Sequence, residues 1–160
     1  MRFLVLLLLA ATVYGQAPMV ISRLTTLNQR GVYQIRETTN GVAFSVFTLS
    51  LPTNSCGSIV ADFSAESSAG TQRAVQSGQI RMVAMNVGGV VTADQNVLGL
   101  VELDTGGSLV VTPGNITTST NVTLTVTLTD ATRTNRVYNY RVANLDTNII
   151  VAPYGLPLVP

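Results

Sequence analysis

Carboxylates are the main candidates for chemistry in this sequence, because it contains neither histidine nor lysine. Glu102 and Asp104 fall on the same face of one predicted strand, and Asp62 and Glu66 form a second pair. Two carboxylates can hydrolyse a glycosidic bond when they flank it across a cleft. Two acids on one strand are more typical of a solvated edge or of loop ligands for Ca²⁺. Without a third group beside them, we expect neither pair to be catalytic.

The sequence also lacks the residues that other kinds of catalytic and cofactor-binding site need. A serine triad needs histidine and a Ser-Lys dyad needs lysine, and both types are missing. The usual zinc sites combine cysteine with histidine, and one cysteine cannot form such a site. No glycine-rich phosphate-binding motif occurs either. The sequence therefore predicts a protein that is not an enzyme and that binds no cofactor and no metal.

Cys56 is the only cysteine, so a disulfide within the chain is impossible. One interpretation is a buried free thiol, because free cysteine is usually buried. The other is an interchain disulfide, since an unpaired cysteine in an oxidising compartment can bond to another chain. Cys56 is thus a candidate interchain disulfide. A nucleophilic role is disfavoured, because no histidine is present to activate the thiol.

Two segments match the acceptor pattern for N-glycosylation, Asn115-Ile116-Thr117 and Asn121-Val122-Thr123. We expect Asn115 to lie in an exposed turn with Pro113 and Gly114. Asn121 has the same strand parity as a row of threonines, so a glycan there would point away from the core. Asn115 and Asn121 are therefore predicted glycosylation sites if the source is eukaryotic, and unmodified side chains if it is bacterial.

The segment from Arg136 to Arg141 contains the residue types that dominate binding hot spots, tyrosine and arginine. On a strand, one face would carry the first arginine and both tyrosines, and the other face Val137, Asn139 and Arg141. The candidate partner surface consists of Arg136, Tyr138, Asn139, Tyr140 and Arg141. The favoured alternative is that the tyrosines line the rim of the core with their hydroxyls in water.

These side chains must be positioned by strands, and the clearest strand is Asn121 to Thr129. Its valines and leucines alternate without error with its threonines, which predicts a central antiparallel strand with one face on a core. The threonine row predicts a solvated outer face. An ice-binding or polysaccharide-binding array is one alternative, supported by this single strand only. O-glycosylation is another, although the Ser/Thr tracts with proline that it favours are absent.

Turn signals divide the rest of the chain into nine or ten short strands. Asn40-Gly41 and Asp104 to Gly107 predict hairpins, because such residues adopt the turn conformations that join adjacent antiparallel strands. Ser64 to Gly70 is rich in serine and alanine and predicts a loop or one helical turn. Turn signals at roughly 8–12-residue spacing predict an all-β antiparallel β-sandwich, jelly-roll or Ig-like.

Residues 1–15 have the pattern of a signal peptide, with Arg2 before a short apolar run and small residues before a cleavage site after Gly15. That run is too short to cross a bilayer, so we expect no membrane span. We expect one domain at 16–160. Removing Arg2 leaves eight arginines and eight acids, and this neutral chain has no basic patch for nucleic acid.

The C-terminal tail, residues 147–160, contains Ile149, Ile150 and Val151 followed by three prolines. Leaving these aliphatic side chains in water would cost roughly 1.5–3 kcal/mol each, so the segment is predicted to be a strand. It would pair in its own domain or with the open edge of a neighbouring copy, which makes it a candidate assembly strand. The prolines should keep the pairing short.

Together these features predict a secreted, extracellular, non-enzymatic structural glycoprotein, a self-associating subunit of a matrix, coat, cuticle or filament. A weakly charged, neutral surface resists association poorly, which favours this class. The alternative is a soluble recognition module that binds a glycan or an extracellular protein through the Tyr/Arg/Asn strand. A hydrolase that uses carboxylates alone is a third reading.

Overall fold

The computed structural model describes residues 31–37, 39–145 and 149–158, and the regular structure in these ranges is entirely β-strand. The predicted signal peptide lies outside the described residues. The strands are β1 (Val32–Glu37), β2 (Ala43–Ser50), β3 (Ser55–Ala69), β4 (Gln72–Val87), β5 (Val90–Asp104), β6 (Val110–Thr117), β7 (Asn121–Thr129), β8 (Asn135–Leu145), β9 (Ile150–Pro153) and β10 (Leu156–Leu158). No helix in this part of the chain could span a membrane.

The strands form two sheets, and every pairing between them is antiparallel. The larger sheet has the order β10-β1-β8-β3-β4-β5, and the smaller has the order β6-β7-β2-β9. Aromatic rings meet between the sheets, since Phe44 of β2 contacts Tyr138 of β8 edge-to-face at a centroid distance of 5.6 Å. The all-β antiparallel class predicted from the sequence is confirmed.

β7 is the strand predicted most clearly, and its bounds are those expected. It lies inside the smaller sheet between β6 and β2. Val122, Leu124, Val126 and Leu128 are completely buried and face the larger sheet. Burying one aliphatic side chain contributes about 1.5–3 kcal/mol, so this row stabilises the core substantially.

The predicted loop at Ser64 to Gly70 is wrong, because β3 continues as a strand to Ala69. Its residues alternate in burial: Ala65 and Ser67 are buried, while Glu66 is exposed. β4 and β8 pair with β3 on either side along this stretch, so its backbone hydrogen bonds are supplied by neighbours. The tertiary pairing overrides the weak strand preference of serine and alanine.

Both predicted hairpins are wrong, because each turn passes from one sheet to the other. Asn40-Gly41 joins β1 in the larger sheet to β2 in the smaller sheet, and Asp104 to Gly107 leads from β5 to β6. Gly41 has a φ of 71°, but Asn40 is not among the described residues with positive φ, so this is not a type I′ turn. Gly88 and Gly89 instead turn the β4–β5 hairpin.

The tail folds back onto its own chain. β9 pairs with β2, which is the own-domain pairing that the sequence left open for Ile149 to Val151. Ile149 and Val151 are buried, and Ile150 is exposed. After Gly155 the chain crosses to the larger sheet, where β10 pairs with β1 despite containing Pro157. The tail therefore joins both sheets. Its two strands are short, at four and three residues, as the prolines predict, although Pro157 itself is paired with Tyr33.

Candidate functional site

The Arg136–Arg141 strand does not form the predicted partner surface. Arg136, Tyr138 and Tyr140 are 5%, 0% and 1% exposed, because β8 lies inside the larger sheet and this face points at the smaller sheet. The prediction is therefore wrong for these three residues. Asn139 and Arg141 lie on the opposite face, where Arg141 pairs with Asp62 at 2.6 Å and both side chains are partly exposed.

The two buried tyrosine hydroxyls differ in their partners. The hydroxyl of Tyr140 lies 2.6 Å from the carbonyl oxygen of Val46 and 2.7 Å from that of Tyr154. Val46 is the extra residue of a bulge in β2, so this hydroxyl ties β8 to an irregular point of the facing sheet. The Tyr138 hydroxyl has no hydrogen-bond partner among the described residues. Burial raises the pKa of both tyrosines well above their ordinary value.

The acids of β5 are not arranged as a catalytic pair. Glu102 is exposed at the sheet edge. Asp104 accepts hydrogen bonds from Nη1 and Nη2 of Arg133 at 3.1 and 3.3 Å. Both carboxylate oxygens of Asp104 are therefore occupied by the buried guanidinium of Arg133. Asp104 therefore has a structural role in the connection between β5 and β6.

A buried ionic network surrounds Arg133, which is 0% exposed, and sequence reasoning missed it. Its Nε donates to Asp130 at 2.7 Å, and Ser67 donates to the same carboxylate oxygen. The other oxygen of Asp130 accepts from the backbone of Thr132 and Arg133. Burial alone would raise the pKa of Asp130, but these hydrogen bonds outweigh it and hold the pKa well below its ordinary value. The spacing of aspartate and arginine by three residues after a strand is the sequence signal for this corner.

A small open cleft of about 250 Å³ lies at the same end of the larger sheet. Its polar lining includes Glu66, Arg73, Asp104 and Asn135. Ligand pockets usually have volumes of roughly 300–1,000 Å³, so the cleft is smaller than a typical small-molecule site. Among the residues that the structure describes, no three or more histidine, cysteine or acidic side chains lie close enough to hold a metal ion.

Cys56 is exposed on the outward face of β3, opposite Met85 of β4. The buried-thiol interpretation is therefore wrong, because the core-facing positions of β3 have the other parity. The interchain disulfide remains a prediction.

The two predicted glycosylation sites lie in different surroundings. Asn115 is not in an exposed turn but in β6, where it is half-buried and its Nδ2 donates to Oε1 of Gln95. A glycan on that nitrogen would displace Gln95. Asn121 lies at the start of β7, and its Oδ1 accepts from Oγ of Ser50 at 2.7 Å, which leaves Nδ2 for a glycan. Both modifications remain predictions, and the geometry favours Asn121.

The threonine row lies on the outer face of the smaller sheet, but it is less solvated than expected. Thr123 and Thr48 share a hydrogen bond of 2.7 Å between hydroxyls of adjacent strands. Thr125 is only 8% exposed, since β6 and β2 flank it and Gly114 lies directly opposite. A Cβ at Gly114 would lie 2.9 Å from the Thr125 hydroxyl, so this face is tightly packed.

Large apolar side chains lie in solvent at the end of β5. Leu98, Leu100, Val101 and Leu103 are 41%, 52%, 65% and 73% exposed. β5 pairs with β4 and forms the edge of the larger sheet. The sequence predicted a strand here but not its exposure. The missed signal is the broken alternation at Gly99, where the register shifts.

Comparison with known proteins gives little further information. No protein-family model matches the chain, and no curated protein matches its sequence. Two solved structures match weakly. The tailspike protein of Acinetobacter baumannii phage AM24 has a TM-score of 0.40 and 12% identity over 79% of this chain. The tailspike protein of Acinetobacter phage vB_ApiP_P1 has a TM-score of 0.42 and 18% identity over 89%. This chain spans 26% of the length of each, and similarities this low carry no argument.

Proposed function

We propose that this protein is a secreted, non-enzymatic structural glycoprotein that assembles with copies of itself into an extracellular matrix, coat, cuticle or filament. The finer fold assignment, a β-sandwich of the jelly-roll or Ig-like kind, belongs to the same proposal. The observation that carries it is the exposed apolar surface at the end of β5, Leu98 to Leu103. Contiguous apolar surface of this kind on a soluble protein marks an interaction site.

The low charge of the chain supports association. Charged residues make up 11% of the sequence, and the expected mature chain is formally neutral. A protein with almost no net charge has little electrostatic repulsion to keep its copies apart. An apolar edge on a neutral body favours contact between like molecules rather than attraction of a charged partner.

The alternative functions have lost their main support. The recognition module depended on a tyrosine surface, and Tyr138 and Tyr140 are buried. The cleft is small for a ligand, and the carboxylate-only hydrolase needs a free acid where Asp104 is held by Arg133. A glycan or extracellular protein partner remains the second choice, through the partly exposed residues Asn139 and Arg141.

Light scattering coupled to size-exclusion chromatography tests the assembly proposal. We expect the mean mass of the secreted protein to rise over two decades of concentration. A protein that stays monomeric at the highest soluble concentration would contradict the structural function and favour the recognition module.

Intact-mass measurement tests the extracellular part of the proposal. The native protein should lack Met1 to Gly15. If the host is eukaryotic, peptide-N-glycosidase should lower the mass further, and Asn121→Gln should remove more of this shift than Asn115→Gln because Asn115 is hydrogen-bonded to Gln95. Retention of Met1 to Gly15 would contradict secretion through a cleaved signal.

A further inference from the structure

The turn between β1 and β2 contains the single Asn-Gly pair of the sequence, Asn40-Gly41. Spontaneous deamidation is fastest at such pairs, because glycine has no side chain to shield its amide nitrogen. The nitrogen of Gly41 loses its proton and bonds to Cγ of Asn40, and the side-chain nitrogen leaves as ammonia. Water then opens the cyclic imide to aspartate or isoaspartate. The pair is therefore a site for a covalent modification that needs no enzyme.

The fold holds both reacting groups of this pair. The amide nitrogen of Gly41 donates to the carbonyl oxygen of Leu128 at 3.0 Å. Oδ1 of Asn40 accepts from the amide of Asp130 at 2.8 Å, which restrains the side chain that Cγ belongs to. Cyclisation removes the proton of the Gly41 nitrogen, so the hydrogen bond to Leu128 must break before the imide forms. The turn is thus docked on the end of β7 by two hydrogen bonds that oppose the reaction.

Burial does not protect the pair, because Asn40 and Gly41 are both exposed and water reaches them. The protection comes from Asp130, whose amide holds Asn40 while its buried carboxylate accepts from Arg133 and Ser67. The turn is therefore tied to a residue that the ionic network around Arg133 fixes. Opening this corner requires a local unfolding step, whose free energy sets how often the pair is free to react.

We propose that Asn40 is a spontaneous deamidation site that is protected while the β1–β2 turn is docked on β7 and that reacts when this corner opens. The inference goes beyond the proposed function and does not depend on self-association. The reaction leaves a carboxylate in place of the Asn40 amide. Isoaspartate also adds one carbon to the main chain, which shifts Gly41 relative to residue 40 and moves its amide away from Leu128. A copy that has opened and reacted in this way does not form the original corner again.

Peptide mapping by mass spectrometry tests the protection in the full chain. The folded protein and the same protein unfolded in guanidinium chloride are incubated side by side at mildly alkaline pH. The unfolded chain gives the unprotected rate at Asn40. When opening and closing are fast, modification follows the equilibrium population of the open state. We therefore expect deamidation at Asn40 to be slower in the folded protein by on the order of a hundredfold or more.

Two aspartate variants test which contact protects the pair. Asp130→Ala keeps the amide that holds Asn40 but removes the carboxylate that fixes it in the network. Asp62→Ala is the control, because it removes a partly exposed carboxylate that pairs with Arg141. We expect the folded Asp130→Ala variant to deamidate at Asn40 at least about tenfold faster than the parent, and Asp62→Ala to match the parent. Hydrogen exchange at the Gly41 amide should be faster in the same variant.

A second measurement applies if Asp130→Ala does not fold. The parent protein in guanidinium chloride below its unfolding transition supplies the comparison. Hydrogen exchange at the Gly41 amide and deamidation at Asn40 should then rise together as the denaturant concentration is raised. Exchange that rises without any rise in deamidation overturns the link between opening and reaction.

The remaining outcomes also decide the inference. Protection in the folded parent that is lost in Asp130→Ala and kept in Asp62→Ala supports it. A folded parent that deamidates at Asn40 as fast as the unfolded chain overturns it, because the two hydrogen bonds then give no protection. A folded Asp130→Ala variant that reacts no faster than the parent overturns the part assigned to Asp130. Light scattering tests the assembling function separately, so a failure here leaves that proposal standing.

Discussion

The two tyrosines of β8 allow a sharp test of how the sheets are held together. Tyr138 and Tyr140 are two residues apart, face the same core and are both buried, but only the Tyr140 hydroxyl has partners among the described residues. Replacing each with phenylalanine removes one oxygen and leaves the ring packing in place. The two variants should therefore differ in the sign or size of their effect on stability.

The expected magnitudes follow from the hydrogen-bond partners. Tyr140→Phe leaves the Tyr154 carbonyl without this donor. The Val46 carbonyl still accepts a hydrogen bond from the Tyr154 amide at 2.9 Å. Losing such a buried hydrogen bond costs about 1–3 kcal/mol. Tyr138→Phe removes a hydroxyl that is buried without compensation, so it should be neutral or stabilising by up to about 1 kcal/mol. The difference in the free energy of unfolding should be about 1–4 kcal/mol.

Urea and thermal unfolding measure this difference. For a chain of 160 residues, 1 kcal/mol shifts the Tm by about 2–4 °C, so the variants should differ by about 2–16 °C. The slope of the urea transition should be equal in both variants, since neither changes the surface exposed on unfolding. A Tyr138→Phe variant as destabilised as Tyr140→Phe would refute the reasoning, because it would mean that the Tyr138 hydroxyl is satisfied.

The buried carboxylate, acid titration and the tail provide three further predictions. Asp130→Ala should cost about 3–5 kcal/mol in urea unfolding, because Arg133 loses a buried partner, whereas Asp62→Ala on the surface should cost about 1 kcal/mol or less. The pKa of Asp130 is lower in the folded than in the unfolded protein, so its charged form stabilises the fold. This contribution to the free energy of unfolding is full above the unfolded pKa of about 4 and is lost as the pH falls towards the folded pKa. The Tm should therefore decrease when the pH is lowered below 4, and it should stay nearly constant from pH 5 to 8, because the sequence has no histidine to titrate there. A steep change of the Tm between pH 5 and 8 would contradict this. Gly155→Ala should destabilise more than Gly88→Ala in thermal unfolding: both have positive φ, but only at Gly155 would a Cβ meet backbone, at 2.6 Å. Equal losses would show that the tail is not packed on β1.

The sequence could predict those features that depend on local alternation. Strand β7 was found with its bounds and its buried face, because the period-2 pattern of Val122 to Leu128 is set by the geometry of an extended chain. The all-β antiparallel class followed in the same way from many short β-prone runs. The strand around Ile149 to Val151 followed from the cost of leaving these side chains in water.

The pairing of strands could not be read from local pattern. Asn40-Gly41 is a strong turn signal, but a turn does not determine whether its strands share a sheet, and here it joins two sheets. The serine-rich end of β3 is a strand because β4 and β8 lie beside it. Such contacts join residues far apart in the chain, and no short window contains them.

The candidate site depended even more on the tertiary structure. The facing sheet decides that the face of β8 with Tyr138 and Tyr140 points into the core. The strand alone does not, since both of its faces contain polar and apolar residues. The partners of Arg133 come from β3, β5 and its own turn. The sequence could indicate only the nearby Asp130, three residues before it, and not the partners on β3 and β5. By itself the sequence determined the alternation of faces and the absence of histidine and lysine. Only the tertiary structure decided which faces are buried, because burial depends on neighbours that lie far away along the chain.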